Sequence, residues 1–389
     1  MSWALIRWEL KKVSSVPMFA VFLVICFCFN TLLVLSSRFD HDPDEYAAYV
    51  TDVTGEIGGQ MGAAFDLAAS DIPASTRRDL LIAQTRGAVD ILDDYDAAQI
   101  YHVYSEVYQV SGSADERLEQ KFIALGTSVK KLAELDASLS VCAAGMTKPL
   151  LDSLFGTLCR AVITQGMLLA VLIALYSCGY EGLSRTETIA YSTKTGRSVQ
   201  QSKLVASAIA SLAAYVLLAL ASLAVFEVVW ELGSIWNASM SSQFYYVSSV
   251  GVSFPFLTWS PFTVGGYLLA TLLLGAAVVL IFHLLGFASG LLVGNTYYGF
   301  MLGFVGCVLN FGAIMVCGDG GLWTLYQLIQ WTPISLWWGQ TLWFTGLELG
   351  TVIPYQECCS AMGCLLIIGL VTLCLYLRFT KKDVKEIAA

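Results

Sequence analysis

The sequence predicts an all-α, polytopic membrane protein with six transmembrane helices and a helical extracytoplasmic insertion between the first two. Three observations carry this. Hydrophobic residues fill 57% of the 389 positions and charged residues only 13%, too few charges to wet the surface of a water-soluble chain of this size. Long runs contain no Asp, Glu, Lys or Arg. The basic residues gather in alternate short connections, the asymmetry that marks cytoplasmic loops. The formal net charge of −9 therefore conceals two opposite populations in different segments.

Residues 1–36 hold an N-terminal elbow and the first crossing. Trp3, Leu5, Ile6, Trp8 and Leu10 stand among Arg7, Glu9, Lys11 and Lys12, which suits a short helix at the cytoplasmic interface and equally an extension of the first crossing. The charge-free run Pro17 to Leu35 exceeds a signal-peptide core and no small-residue cleavage site follows, so a retained crossing is expected. Residues 37–160 form the insertion, which carries 20 of the 30 acidic residues and ten of the 21 basic ones. Ser113 and Glu116 spell a capping box, after which Leu118, Phe122, Leu125, Val129 and Leu132 make one apolar helical stripe. A second helix is expected from Thr76, with Asp79 three residues on and Leu80, Leu81, Val89 and Leu92 following. The stripes fit a small helical domain buried against itself. A substrate-handling or partner-binding cap stays open.

Residues 161–389 supply the remaining crossings. Ala161 to Tyr180, Leu204 to Phe226 and Cys358 to Leu377 each provide the roughly 20 apolar residues a crossing needs. The run Leu232 to Gly318 is too long for one crossing and breaks at Gly286, Gly290 and Gly294 into Phe262 to Phe287 and Tyr297 to Cys317. With the N-terminus inside, Arg7, Lys11, Lys12, Arg185, Lys194, Arg197, Lys203, Arg378, Lys381, Lys382 and Lys385 all fall on the cytoplasmic side, together with both termini. Residues 231–261 and 318–357 contain no Lys or Arg. Segment 320–347 is uncharged and carries Trp323, Trp331, Trp337, Trp338 and Trp343, half of all tryptophans, with Pro333 in its middle. It is expected as a bent, re-entrant outer segment and not as a seventh crossing. The expected location is a bacterial cytoplasmic membrane.

Residues able to do chemistry are sparse. No G-x-x-x-x-G-K-[ST] loop is present, so ATP hydrolysis within this chain is not expected. Of three histidines, His41 and His102 belong to the insertion, and His283 lies in the fourth crossing without an acidic neighbour in sequence. It reads as a packed, hydrogen-bonded side chain. No zinc spacing and no catalytic pair stand out. Glu227 near the outer end of the third crossing and Asn310 in the fifth are candidate translocation-pathway residues. Asn30, Thr164, Gln165 and Asn295 could line a pathway too, but bonds between helices suit them better.

The loop 180–203 between crossings two and three concentrates Glu181, Arg185, Thr186, Glu187, Ser192, Thr193, Lys194, Gly196, Arg197 and Lys203. A short helix from Glu181, a turn at Thr195 and Gly196, and resumption towards Lys203 would present a charged knob. An ordinary positive-inside anchor explains the same residues. The order Glu181, Thr186, Ser192, Thr193, Arg197, Lys203 resembles the loop after the second helix in the ABC type-2 permease family, although Lys194, Thr195 and Gly196 stand where that family often has a proline. Trp8 to Lys12 resembles the family's elbow, and Phe379 to Val384 its C-terminal tail. The layout resembles it throughout.

That resemblance implies a permease subunit, chiefly of exporters, with no cofactor of its own. ATP and Mg would be bound by a partner nucleotide-binding ATPase subunit docked on Glu181 to Lys203. A second permease subunit, identical or not, would complete the pathway within the lipid bilayer, and no nucleic-acid partner is expected. Glu181 and Arg197 would supply docking specificity. Two other classes compete: a mechanotransmission or signalling protein that reports through an ATPase, and an ion-driven secondary transporter, which the charge-free crossings disfavour.

Overall fold

The structure, a computed structural model, describes residues 3–40, 89–90, 96–134, 150–192, 196–230, 232–237, 239–241, 244–248, 251–253 and 256–381. Six helices are long and apolar enough to cross a bilayer, and the chain is a multi-pass membrane protein. The first crossing is Pro17–Asp40. The second runs to Leu183 from a π-helical opening, Asp152–Cys159, continued by Arg160–Leu183. The third, Val199–Trp230, follows a 3-10 turn at Gly196–Ser198. Val264–Val293, Thr296–Asp319 and Gln356–Lys381 complete the set. Helices one, two, three and six outrun their charge-free stretches, because backbone hydrogen bonding continues after the side chains have left the apolar layer.

Crossings two and four form the centre. Their buried faces join in one apolar cluster that includes Ile163, Ala170, Val278, Val279 and Phe282. Gly286 sits where a Cβ would come within 3.1 Å of the Val171 backbone, and Gly290 closes on Cys178 in the same way. Small residues let two backbones approach inside a bilayer, where apolar side chains gain nothing from leaving lipid. This corrects the expected break. Helix four continues through Gly286 and Gly290, and the chain turns only at Gly294, whose φ of 72° is the left-handed geometry glycine adopts freely. Asn295 then caps helix five by accepting from the amides of Tyr297 and Tyr298.

Helix five is the least enclosed crossing, with only Gly299, Ile314 and Cys317 buried. Two polar clusters inside the bundle join crossings to one another. Asn30 and Gln165 exchange amide hydrogen bonds at 2.8–2.9 Å, and Asn30 also donates to Ser222, tying crossings one, two and three. His283, fully buried, lies between the hydroxyls of Ser207 and Ser211 and the carbonyl of Leu204 at 3.3–3.4 Å.

Two faces cap the bundle. One, here the elbow face, comprises the helix Trp3–Ser14 with residues 184–192 and 196–198. The opposite, insertion face comprises the helices Ala97–Tyr108 and Ser113–Glu134 with residues 232–237, 239–241, 256–263 and 320–355. The stripe Leu118, Phe122, Leu125, Val129 and Leu132 is buried as expected, each residue at most 2% exposed. Leu118, Phe122, Leu125 and Val129 pack in one cluster with Ile100 and Tyr104 of the neighbouring helix and also with Leu257, Trp259 and Leu347, so the hairpin is not buried on itself alone. The Ser113 hydroxyl takes Arg117 and Thr324 as partners.

The helix expected from Thr76 lies outside the described residues, except Val89, which is in a strand. Strand β1, Val89–Asp90, pairs antiparallel with β2, Phe244–Ser248, and β2 with β3, Gly251–Ser253. Val89 pairs with Tyr245, a partner so distant in sequence that local periodicity could not disclose it. Segment 320–347 forms two short helices, Trp323–Ile329 and Pro333–Trp338, and a 3-10 turn at Gly339–Leu342. Neither helix approaches the length of a crossing.

Candidate functional site

The elbow face carries a projecting arm with a rigid root. Helix two ends at Ser184, whose hydroxyl donates to the Tyr180 carbonyl at 2.8 Å. Arg185 adopts φ 56°, an unusual conformation for a residue with a side chain, and reverses the chain so that the Thr186 amide donates to the Glu181 carbonyl at 2.9 Å. The helix Glu187–Ser192 follows, none of its residues buried. Arg185, Thr186 and Ser192 are exposed, and Glu187 is half-buried. Desolvation, with the nearby Glu181 charge second, raises the Glu187 carboxyl above its usual range.

Below the arm lies an ion pair between Glu181, 5% exposed, and Lys203, 0% exposed. It joins the end of helix two to the start of helix three. The Lys203 ammonium also stands 5.9 Å from the centroid of the Tyr180 ring, which faces Lys12 of the N-terminal helix at 4.8 Å. Lys12 in turn donates to Glu9 at 2.8 Å. Two cations thus flank one phenol ring, each with its own carboxylate. The arm is also held to the sixth crossing: Arg197 donates to the Thr380 carbonyl at 2.8 Å and Tyr191 meets Phe379 edge-on at 5.6 Å. Gln200 ties the inside of the loop by donating to the Tyr191 hydroxyl at 3.2 Å and the Cys178 carbonyl at 3.3 Å.

The residues expected in one docking surface therefore divide. Arg185, Thr186, Glu187 and Ser192 lie on the arm, Thr193 and Lys194 lie outside the described residues, and Arg197 is half-buried at the sixth crossing. Glu181 and Lys203 are internal and do not belong to a contact surface. A carboxylate and an ammonium at this depth are costly to leave alone, and pairing offsets that cost. Sequence reasoning missed Glu9, Lys12 and Tyr180 as members of this junction. The mix of charge and tryptophan in residues 3–12 signals a helix at an interface, but not its partner.

The candidate pathway residues are engaged at the insertion end. Glu227, half-buried, accepts from the Trp236 indole at 2.9 Å near the end of crossing three, and Asn310, within crossing five, accepts from Thr332 at 2.9 Å, so each ties a crossing to a segment of that face. There the hairpin grips the 320–350 region. Arg117 donates to Gln327 at 2.7 Å, and Lys121, 2% exposed, donates to the Glu348 carbonyl at 2.5 Å. Desolvation lowers Lys121 to about 8, the Glu348 charge opposing, and desolvation raises Glu348 itself.

Among the described residues no three His, Cys, Asp or Glu side chains are grouped to hold a metal ion. The charged pairs at the elbow face brace helices against one another, each cation with its own carboxylate. No known protein family, curated protein or solved structure matches the chain.

Proposed function

We propose that this chain is the membrane-spanning permease subunit of an ATP-binding cassette transporter of the type-2 class, working in export. ATP and Mg are bound and hydrolysed by a separate nucleotide-binding subunit that docks on the arm, and a second permease subunit completes the pathway. The elbow face is cytoplasmic and the insertion face extracytoplasmic, as the placement of Lys and Arg requires. The membrane is the bacterial plasma membrane.

One observation carries this reading: an exposed charged arm is rooted in a buried ion pair and tied to the N-terminal helix and to crossings two, three and six. Force on the arm reaches those elements together. ATP binding closes the ATPase pair, the docked arm follows, and the population moves between inward- and outward-facing arrangements. Arg185, Thr186, Glu187 and Ser192 serve as contacts, with Arg197, Glu181 and Lys203 as the transmitting root. Glu227 positions the outer end of crossing three, and Asn310 ties crossing five to the segment at Thr332. Purification of the full chain from native membranes tests the proposal: a Walker-type ATPase subunit should accompany it, and its loss on washing with an arm variant such as Arg185→Glu would place the contact. Reproducible purification without any ATPase would overturn it.

A second reading has its own support in the grip of the insertion hairpin on Gln327 and Glu348, which suits a sensor reporting an external ligand through the same ATPase. Sealed vesicles holding chain and ATPase distinguish the two, since only the transporter moves a solute.

A further inference from the structure

We infer that Arg160, Trp337 and Trp338 form a binding site for the phosphate headgroup of an anionic phospholipid at the insertion-side boundary of the bilayer. Arg160 immediately precedes the charge-free run Ala161 to Tyr180, whose roughly 20 residues span about 30 Å. Its guanidinium therefore stands at the depth of the headgroup phosphates.

The group is built in. Its carbon lies 5.4 Å from the Trp337 ring centroid and 5.1 Å from that of Trp338, and one N–H edge donates to the Trp338 carbonyl at 2.8 Å. The indoles are fixed in turn: Trp337 donates to Thr164 one turn along helix two at 2.7 Å, and Trp338 meets Phe311 of helix five edge-on at 5.1 Å. Among the described residues the only hydrogen-bond acceptor of Arg160 is that neutral carbonyl, and no carboxylate pairs with it. A guanidinium has more donors than one carbonyl can use, and its planar fork matches two phosphate oxygens. Retention on the positive side accounts for the basic residues of the elbow face, but not for this one. The neighbouring segments 231–261 and 318–357 are devoid of Lys and Arg, which leaves Arg160 unexplained by topology. Acyl chains have a seat beside it, because Leu168, two turns further along the same face of helix two, and Val308, one turn from Phe311, are 49% and 52% exposed.

Native mass spectrometry of the full detergent-solubilised chain, titrated with phosphatidylglycerol, diacylglycerol and soluble glycerol phosphate, tests the site. Phosphatidylglycerol should bind about tenfold more tightly than diacylglycerol, and Arg160→Gln should abolish that preference. Arg160→Lys, which keeps the charge without the fork, should retain part of it. Soluble glycerol phosphate should not compete at equal concentration. Unchanged preference in Arg160→Gln would overturn the site, and competition by glycerol phosphate would overturn its assignment to lipid. If Arg160→Gln fails to fold, the comparison passes to Arg160→Lys and Trp338→Phe, and undiminished preference in both overturns the proposal.

Discussion

Burial turns the Glu181 and Lys203 pair into a brace that is worth little as an interaction and much as a constraint. Removing one partner strands a desolvated charge, so Glu181→Gln or Lys203→Met should each cost about 3–5 kcal/mol, while the double replacement by methionine should recover most of it. Thermal unfolding of the purified chain in detergent reads this directly, and an additive double variant would contradict it. Lys121 is the other buried cation, and its pH response has a definite sign. Folded, it releases its proton near pH of about 8, whereas the unfolded chain keeps it towards 10.5. Between those values the unfolded state binds more protons, so stability rises with pH, by at most about 1.4 kcal/mol per unit, and is flat with respect to this group below that window. Lys121→Met should remove the rise, as melting curves from pH 7 to 10 would show.

Among helices and strands, the parts legible in sequence are those fixed by local periodicity or by solvent. Six apolar runs gave the crossings, and the stripe Leu118 to Leu132 gave a helix whose apolar face is buried. The turn between crossings four and five was misplaced because three glycines look alike in sequence, though only Gly294 has a positive φ and the other two serve helix packing. Pairing of Val89 with Tyr245, and the meeting of Lys12 with Tyr180, depend on contacts between distant segments and left no periodic trace. Within the arm, charge clustering was visible while burial was not, so Glu181 and Lys203 read as surface groups. Glycine roles also separate by experiment. Gly286→Ala forces a methyl against the Val171 backbone and should destabilise the chain by about 1–3 kcal/mol, whereas Gly303→Ala, which meets nothing within 4 Å in a helix interior, should melt no lower than the parent and up to about 1 kcal/mol more stably.

For the whole molecule, sidedness and coupling are the decisive measurements. A cysteine introduced at Ala190 should react with an impermeant thiol reagent only when the cytoplasmic face is opened; labelling of intact cells would reverse the topology. Arg197→Glu should leave membrane insertion and ATPase turnover in place but reduce transport about tenfold, because the tie to the Thr380 carbonyl is lost. Assay of solute uptake alongside phosphate release in the same vesicles separates the two. The brevity of the Gly294 and Asn295 connection adds a statement about stoichiometry. So short a turn leaves no projecting arm between crossings four and five, and the arm at 184–192 is the one such handle among the described residues. On the proposed function each ATPase of the pair then takes the arm of a different permease subunit, and intact assemblies should contain two permease subunits, identical or not, for every two ATPase subunits.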